Sequence, residues 1–422
     1  MNPTHRARAA LSMVIAGILP LTGAGAVTAV AAPPAAPVSA TPPEAGSAPD
    51  HPTALAHAVR AAAADAAPPA ASDGTVHRDL DQALADLVDD GALAVTARVD
   101  AEGFSWSGAR GVRELRGHSR ARTTDRFRVA SVTKMMIATL VLQEVENGTW
   151  SLDTSTEDVL PGALPRDVTI EQLLSHTSGA PTANDQLTRD HMTDPDDIDE
   201  YLSVVGDHYS EADHIRAAHT APWVLEPGSG FSYSNAGFVT LGMMLEKVTG
   251  RSLDDLLEER VFDPAGMSDS DYPEQPGTPG RFLIGAAYTG AEGKGWYSTE
   301  HLDPTLFRAA GSVTSTTADL AAFADALVTG DLLRPGTVAE MLTPRSAVGY
   351  GFGIVRVPDP CVPGEYLYGH DGGGVGTMSV VLTSADGERV VTAGITGRNY
   401  SADPDALYEL GDLLVPLFEA TC

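Results

Sequence analysis

The chain reads Phe127-Arg128-Val129-Ala130-Ser131-Val132-Thr133-Lys134 at the start of an apolar segment that continues to Val145. It has three lysines in 422 residues, against twenty-four arginines. An amine can lose its proton and act as a base, whereas a guanidinium in a protein cannot. Ser131 precedes Lys134 by one helical turn, so the pair predicts a nucleophile and its activating base on one face of a helix.

The segment from Val132 to Val145 is apolar nearly all round, which predicts a buried helix. Asn147-Gly148 is a suitable stop signal. Ser131 would then lie at the helix start, where free N–H groups and the helix dipole stabilise a developing negative charge.

Two further motifs each occur once in the chain. One is Tyr233-Ser234-Asn235, and the other is His370-Asp371-Gly372 within Tyr368-Gly369-His370-Asp371-Gly372-Gly373-Gly374. Each motif alone is a weak signal. All three in this order, each in a suitable local setting, are a strong combined signal.

The composition is that of an acidic globular protein, with a net charge of −30 and 43% hydrophobic residues. This charge argues against nucleic acid or an anionic membrane as a partner. An acidic surface can also serve only to keep an exported protein soluble. No His, Cys or Asp cluster has metal-ligand spacing, so we expect no metal and no cofactor.

The N-terminus resembles an export signal. A basic start with Arg6 and Arg8 is followed by an apolar stretch from Ala9 to about Leu21 and by small-residue cleavage sites. We therefore predict a signal peptide over residues 1–31, an Ala/Pro-rich linker over 32–76, and a secreted, extracellular protein. An uncleaved anchor is the alternative, although Pro20 interrupts the apolar stretch. No later segment approaches the roughly twenty apolar residues of a membrane span.

The chain has two cysteines, Cys361 and Cys422. In an exported protein we predict that they form a disulfide, because the compartment is oxidising. The bond would tie the last residue to the segment before Gly369-His370. Two independent buried thiols are the alternative.

Strand patterns lie at both ends of the folded part and helical patterns lie between them. This order predicts an α+β fold in which both chain ends build one antiparallel sheet flanked by helices, with an inserted mainly helical part. We assign the folded domain to residues 77–422, with 77–130 and 312–422 in the sheet part and 131–311 in the helical part. The predicted strands are Ala92–Val99, Gly103–Gly111, Gly349–Val357, Tyr366–Gly369, Thr377–Leu382 and Arg389–Ile395, and the predicted helices include Asp79–Val88, Ile170–Leu174, Ile198–Val205, Val239–Thr249, Leu253–Val261 and Pro404–Phe418.

The similarity to known proteins extends beyond the three motifs, over about residues 77–422. The chain resembles the serine-type D-alanyl-D-alanine carboxypeptidase and class C β-lactamase family, a branch of the penicillin-binding serine hydrolases. The resemblance implies a β-lactamase/transpeptidase-like fold, a small peptide or ester substrate such as a peptidoglycan stem peptide, inhibition by β-lactams, and a monomer. The further matching segments are Leu174-Ser175-His176-Thr177-Ser178-Gly179, Pro227-Gly228-Ser229-Gly230-Phe231-Ser232, Ala310-Gly311-Ser312 and Tyr350-Gly351-Phe352-Gly353.

The resemblance also implies catalytic roles. Ser131 is the nucleophile; the alternative is a plain helix cap. Lys134 accepts its proton, which requires a pKa about three units below the ordinary value. Tyr233 delivers a proton to the leaving group. Asn235 offers its amide to the substrate carbonyl or to Lys134, and the alternative for this motif is a turn.

His370 is expected to be an electrostatic and hydrogen-bonding neighbour of Tyr233, with a structural histidine as the alternative. The glycines after it let a strand edge approach the substrate. We therefore expect substrate contacts from Asp371, Gly372 and Gly373, with the N–H groups of Gly373 and Ser131 forming an oxyanion hole. A catalytic triad through His176 is rejected, because no matching Ser-His-Asp order is evident.

Two positions depart from the carboxypeptidase pattern. Asp371 replaces the usual threonine, and Val355 replaces an arginine, with Arg356 beside it. The usual residues hold the terminal carboxylate of the substrate. An ionised Asp371 about 4 Å from that carboxylate would cost about 4 kcal/mol. Arg356 is expected to face away, because successive strand residues point in opposite directions.

We therefore expect an exported serine hydrolase that acts through an acyl-enzyme on Ser131, first of all a D-alanyl-D-alanine carboxypeptidase of peptidoglycan peptides. The alternatives on the same site are an esterase, a D-amino-acid amidase or a β-lactamase. A β-lactam-binding protein without turnover is the alternative outside the enzymes.

Overall fold

The computed structural model describes residues 73–290, 295–401, 407–408, 410–420 and 422, all of which lie in one compact unit. The predicted signal peptide and residues 32–72 of the predicted linker lie outside the described residues. Among the residues described, no helix has both the length and the apolar character needed to cross a membrane.

The central element is a six-stranded sheet in the order β2-β1-β10-β9-β8-β7, and every neighbouring pair in it is antiparallel. Both chain ends contribute strands to it, as the sequence predicted, and the α+β fold is confirmed. Two small sheets accompany it, β11-β4-β5 and β3-β6. The strands are β1 (Ala94–Ala101), β2 (Phe104–Gly111), β3 (Phe127–Arg128), β4 (Ala286–Tyr288), β5 (Trp296–Ser298), β6 (Thr314–Ser315), β7 (Val355–Pro358), β8 (Tyr366–Gly374), β9 (Thr377–Ser384), β10 (Val390–Thr396) and β11 (Arg398–Asn399).

Helices cover both faces of this sheet. They are α1 (Asp73–Asp89), α2 (Thr133–Glu146), α3 (Thr156–Val159), α4 (Ile170–Leu174), α5 (Asn184–Arg189), α6 (Ile198–Val204), α7 (Glu211–Thr220), α8 (Asn235–Thr249), α9 (Leu253–Leu257), α10 (Asp263–Ala265), α11 (Thr317–Thr329), α12 (Pro335–Leu342) and α13 (Leu410–Glu419). Short 3-10 turns lie at Ala130–Val132, Pro304–Leu306 and Arg308–Ala310, and a π-helical turn lies at Glu258–Phe262.

The alternation of side chains along the strands divides the core into two layers. Val380 and Leu382 of β9 pack with α1 and α13, whereas Val381 between them packs with α2, α8 and α11. Because both faces are covered, β9 and β10 are buried along nearly their whole length. The layer around α2 buries this helix from Thr133 to Leu142, as its apolar sequence predicts.

Several predicted boundaries differ from the structure. Helix α1 begins at Asp73, so residues 73–76 belong to the helix and not to the linker; Val76 packs against the core, and Arg78 bonds Gly74 O at 3.0 Å. Residues 349–354 are not a strand, because Gly349 and Gly353 adopt positive φ angles of 86° and 67° that turn the chain.

The start of helix α8 also differs from the prediction, and it lies within the motif Tyr233-Ser234-Asn235. Helix α8 begins at Asn235, four residues before the predicted start, because Ser234 caps it: the Ser234 Oγ accepts from Gly237 N at 2.9 Å. Strand β8 also continues through the glycines to Gly374, beyond the predicted end at Gly369.

Cys361 and Cys422 form the predicted disulfide, with their Cα atoms 4.9 Å apart. The bond joins the chain end that follows α13 to the connection between β7 and β8. It therefore ties α13 to the hairpin that carries His370.

Candidate active site

Ser131 lies in the 3-10 turn that leads into α2, and the turn is held from two sides. Val129 N donates to Val313 O at 3.0 Å, and Ser379 Oγ donates to Val129 O at 2.7 Å. Ala130 has a φ of 47°, a conformation that costs a residue with a Cβ on the order of 1 kcal/mol or more. These supports and this strain position the Ser131 side chain, which is 6% exposed. It does not cap α2, because the cap position is Val132 and has no side-chain bond.

Lys134 is fully buried. Its Nζ lies 3.1 Å from Ser131 Oγ, 2.8 Å from Asn235 Oδ1 and 2.7 Å from Ala310 O. Burial lowers the pKa of Lys134 well below its ordinary value, and the negative charge of Asp371 opposes this shift in part. The pocket therefore favours the neutral amine that a general base requires.

The three contacts also fix where the lone pair of that neutral amine points. Asn235 Oδ1 and Ala310 O can only accept hydrogen bonds, so they take the two N–H bonds of the amine. The remaining direction, towards Ser131 Oγ, is left for the lone pair. Lys134 is thus oriented to accept the hydroxyl proton of Ser131.

Tyr233 also lies beside Ser131. Burial raises its pKa above the ordinary value, and a hydrogen bond with Ser131 opposes this shift. The ring also lies 4.8 Å from Lys134 Nζ. A phenol of this kind keeps its proton at neutral pH and can donate it to a leaving group.

His370 is buried and has a defined tautomer. Its Nδ1 bonds the carbonyl oxygen of Asp371, which can only accept, so Nδ1 carries the hydrogen. Nε2 then accepts from the Tyr350 hydroxyl at 2.9 Å. The rings of His370 and Tyr233 are 6.2 Å apart. The hydroxyl that bonds His370 belongs to Tyr350, a residue that the sequence analysis did not assign to the site.

The glycines of β8 lie directly against the Ser131 turn. A Cβ on Gly372 would come within 2.2 Å of Val129 O, and one on Gly374 within 3.4 Å of Ala130 Cβ. Only residues without a side chain allow this approach. The backbone of Gly373, between them, is thereby brought beside Ser131.

The family model described as "Beta-lactamase" matches residues 80–414 of the chain. This chain belongs to the beta-lactamase family of serine hydrolases. It is 33% identical over 307 residues to "Penicillin-binding protein 4" of Amycolatopsis lactamdurans, across 67% of this chain and 74% of that one.

The chain is also similar to a protein named as an esterase and to one named as an amidohydrolase. The chain is 32% identical to "Esterase EstB" of Burkholderia gladioli, across 48% of this chain and 52% of that one, so it spans about half of that relative. The crystal structure of a D-stereospecific amidohydrolase from Streptomyces sp. matches with a TM-score of 0.67 and 28% identity, across 78% of this chain and 96% of that one.

Asp371 is the main departure from the carboxypeptidase pattern in this beta-lactamase-family site. Its side chain is 5% exposed, and its Oδ1 lies 3.8 Å from His370 Nδ1. Its negative charge opposes the lowering of the Lys134 pKa by burial, and it adds to the effect of burial in raising the pKa values of Tyr233 and Tyr350.

Strand β7 brings no arginine towards that charge. Val355, which pairs with Gly369, is buried. The guanidinium of Arg356 stacks 4.0 Å from the centre of the Tyr366 ring. That Arg356 points away from the site stays a prediction.

His176 supports the site without contacting Ser131. Its Nδ1 accepts from Ser234 N at 3.1 Å, and its ring lies 4.2 Å from Tyr233 and 4.8 Å from Tyr350. Burial lowers the pKa of His176 well below its ordinary value. It is therefore a neutral packing residue behind Tyr233.

Two residues of the site were missed by the sequence analysis, Tyr350 and Asn184. Tyr350 lies in a segment that resembles the family, but no role was assigned to it. Asn184 Oδ1 accepts from Asn235 Nδ2 at 2.7 Å. Asn184 is one of five asparagines in the chain, and that scarcity is the one signal that could have found it. Among the described residues, no group of three or more His, Cys, Asp and Glu side chains is placed to hold a metal ion.

Proposed function

We propose that this chain is an exported hydrolase that forms an acyl-enzyme on Ser131 and prefers amides, peptides or esters of D-amino acids without a free carboxylate next to the scissile bond. The observation that supports this preference most directly is the buried Asp371 beside the site, with Arg356 stacked away on Tyr366.

Acylation uses the groups already described. Lys134 takes the Ser131 proton as Oγ attacks the carbonyl carbon, and the N–H groups of Ser131 and Gly373 stabilise the oxyanion. One such donor is typically worth about 3 kcal/mol of barrier. Tyr233 gives a proton to the leaving amine or alcohol and takes one back from Lys134; water then cleaves the ester on Ser131, which regains its hydroxyl proton.

Charge decides the preference among substrates. A substrate carboxylate about 4 Å from ionised Asp371 would cost about 4 kcal/mol, and an ammonium group at the same distance would gain a similar amount. A free D-amino acid amine therefore suits this site better than a terminal carboxylate. The similarity to a D-stereospecific amidohydrolase supports this substrate class.

A D-alanyl-D-alanine carboxypeptidase of peptidoglycan peptides remains the second candidate. It is favoured by the identity of 33% with a penicillin-binding protein. The same relationship supports acylation of Ser131 by β-lactams. In this alternative Asp371 would be neutralised by a group of the substrate or would turn away from the carboxylate.

A matched pair of substrates distinguishes the two candidates. We expect a peptide ending in D-Ala-D-Ala amide to be cleaved at least about tenfold faster than the same peptide with a free carboxylate. Asp371→Asn, which removes the charge at nearly constant shape, should reduce this ratio. Faster cleavage of the free acid by the unaltered protein would establish the carboxypeptidase instead.

The nucleophile is tested separately with a labelled penicillin and a fluorophosphonate, and the adduct is located by peptide mass. We expect both labels on Ser131 and none on a Ser131→Ala variant. Labelling by penicillin without release of product from an amide, an ester or a cephalosporin would identify a binding protein without turnover.

Export is supported by the Cys361–Cys422 disulfide, which suits an oxidising compartment. We expect the mature protein in the culture medium to begin at Val27 or Ala32, after one of the small-residue sites. N-terminal sequencing measures this directly, and an intact Met1 would contradict it.

A further inference from the structure

The segment from Pro181 to Asn184 is fastened to the motif Tyr233-Ser234-Asn235 by three hydrogen bonds. Ser234 Oγ donates to Pro181 O at 2.8 Å, and Thr182 Oγ1 donates to Tyr233 O at 3.1 Å. The third is the side-chain bond from Asn235 Nδ2 to Asn184 Oδ1, at 2.7 Å. Each residue of the motif is therefore held by this one segment.

The orientation of both amides follows from a single backbone carbonyl. Asn184 Nδ2 donates to Leu306 O at 2.9 Å, and a carbonyl oxygen can only accept. Asn184 must therefore present its Oδ1 to Asn235, and Asn235 donates to it through Nδ2. Only then does Asn235 present its Oδ1 to Lys134 Nζ, at 2.8 Å.

We propose that Asn184 is a positioning residue for acylation, which holds the Asn235 amide with its oxygen towards Lys134. The inference rests on the proposed role of Lys134 as the base that activates Ser131. Asn184 itself contacts neither Ser131 nor Lys134, and it acts through Asn235.

The orientation matters because the two ends of an amide have opposite effects on an amine. With Oδ1 towards it, neutral Lys134 donates to Asn235 and keeps its lone pair for Ser131. With Nδ2 towards it, the amide would donate into that lone pair. A turned Asn235 would thus compete directly with the Ser131 proton and would also disfavour the protonated amine.

The same chain of bonds reaches the second acceptor of Lys134. Leu306 ends the 3-10 turn Pro304–Leu306, and the next turn, Arg308–Ala310, supplies Ala310 O to Lys134 Nζ at 2.7 Å. Asn184 therefore connects the helix that carries one acceptor with the segment that carries the other.

The test is the rate at which a fluorophosphonate phosphonylates Ser131, with loss of fluoride, as a function of pH in Asn184→Leu and Asn184→Asp. This reaction needs the same activated hydroxyl as acylation. Leucine keeps a similar volume but cannot orient the amide. We expect the rate of phosphonylation at the optimum to fall about tenfold or more, and the acidic limb of the profile to move to lower pH. Aspartate still accepts from Asn235 Nδ2 but loses the bond to Leu306 O, so this variant should retain more of the rate than Asn184→Leu and move the limb to higher pH through its charge.

These directions separate positioning from a loss of packing. A loosened pocket would admit water and raise the pKa of Lys134 towards its ordinary value, so the limb would move to higher pH in Asn184→Leu. That result, or an unchanged rate in this variant, would overturn the proposal. Absence of labelling in the unaltered protein would overturn the proposed function itself.

A matched control comes from the same helix. Gln186→Ala removes the bond from Gln186 Nε2 to Asp190 Oδ1, at 2.7 Å, and leaves the Asn184 bonds in place. It should retain the unaltered profile. Thermal unfolding of all variants shows whether each one is folded at the temperature of the assay, and Asn184→Asp keeps the proposal testable if the leucine variant is unstable.

Discussion

Lys134 is a base only because it is buried, and this has a consequence for stability. Its pKa is lowered in the folded chain, so at neutral pH the unfolded chain binds a proton that the folded chain does not. The stability contribution of Lys134 should therefore rise with pH, up to the ordinary lysine pKa of about 10.4. Comparison of the unaltered protein with Lys134→Met by denaturant unfolding at pH 7, 8.5 and 10 measures this, and the difference should move in favour of lysine as pH rises.

The catalytic counterpart is Lys134→Arg. Arginine stays protonated in proteins, so it cannot accept the Ser131 proton. We expect acylation to fall by a factor of about 100 or more, the range of general-base effects. The rate of labelling by a fluorophosphonate is the measurement, with Lys247→Arg, a lysine outside the site, as the control. Unchanged acylation in Lys134→Arg would contradict the assignment of the base.

Strand β8 is the element whose glycine backbone lies against the turn that carries Ser131, so it sets the distance between this backbone and the nucleophile. In Gly372→Ala the new Cβ would lie 2.2 Å from Val129 O and 2.3 Å from Ser379 Oγ. The strand must then move away from the Ser131 turn, which should cost about 1–3 kcal/mol and most of the acylation rate. Gly336→Ala, where nothing lies within 4 Å of the new Cβ, is the matched control and should slightly stabilise its helix. Thermal unfolding and acylation rates of both variants check this.

Elements with a strong local pattern could be predicted from the sequence. The apolar run after Ser131 gave α2 to within one residue at each end, and Ile170–Leu174 matched α4. The failures occur where a bond or a turn, rather than hydrophobicity, sets the boundary. Ser234 starts α8 early because it caps the helix, and positive φ angles at two glycines replace the predicted strand before Val355.

In the candidate site, too, residues with a local sequence pattern were predicted and residues placed by long-range contacts were not. Ser131, Lys134, Tyr233, Asn235 and His370 were found because each belongs to a short motif. Asn184 was not found because its contact with Asn235 joins residues 51 positions apart, and no local pattern records such a pair. Tyr350 was missed for a similar reason, since its bond to His370 depends on the turn that brings its hydroxyl under β8.

At the scale of the whole molecule, the disulfide closes a fold whose sheet is built from both chain ends. It links residues 61 positions apart, and in the chain-entropy model a loop of that length contributes at most about 4 kcal/mol. Cys361→Ser/Cys422→Ser should therefore lower the unfolding temperature clearly. The active site of this variant should still acylate at low temperature, because α2 and the turn before it that carries Ser131 pack in a different core layer from α13. Thermal unfolding with and without a reductant is the measurement: reductant should lower the midpoint of the unaltered protein and leave the double variant unchanged. A double variant as stable as the oxidised protein would show that packing of α13 alone holds the chain end.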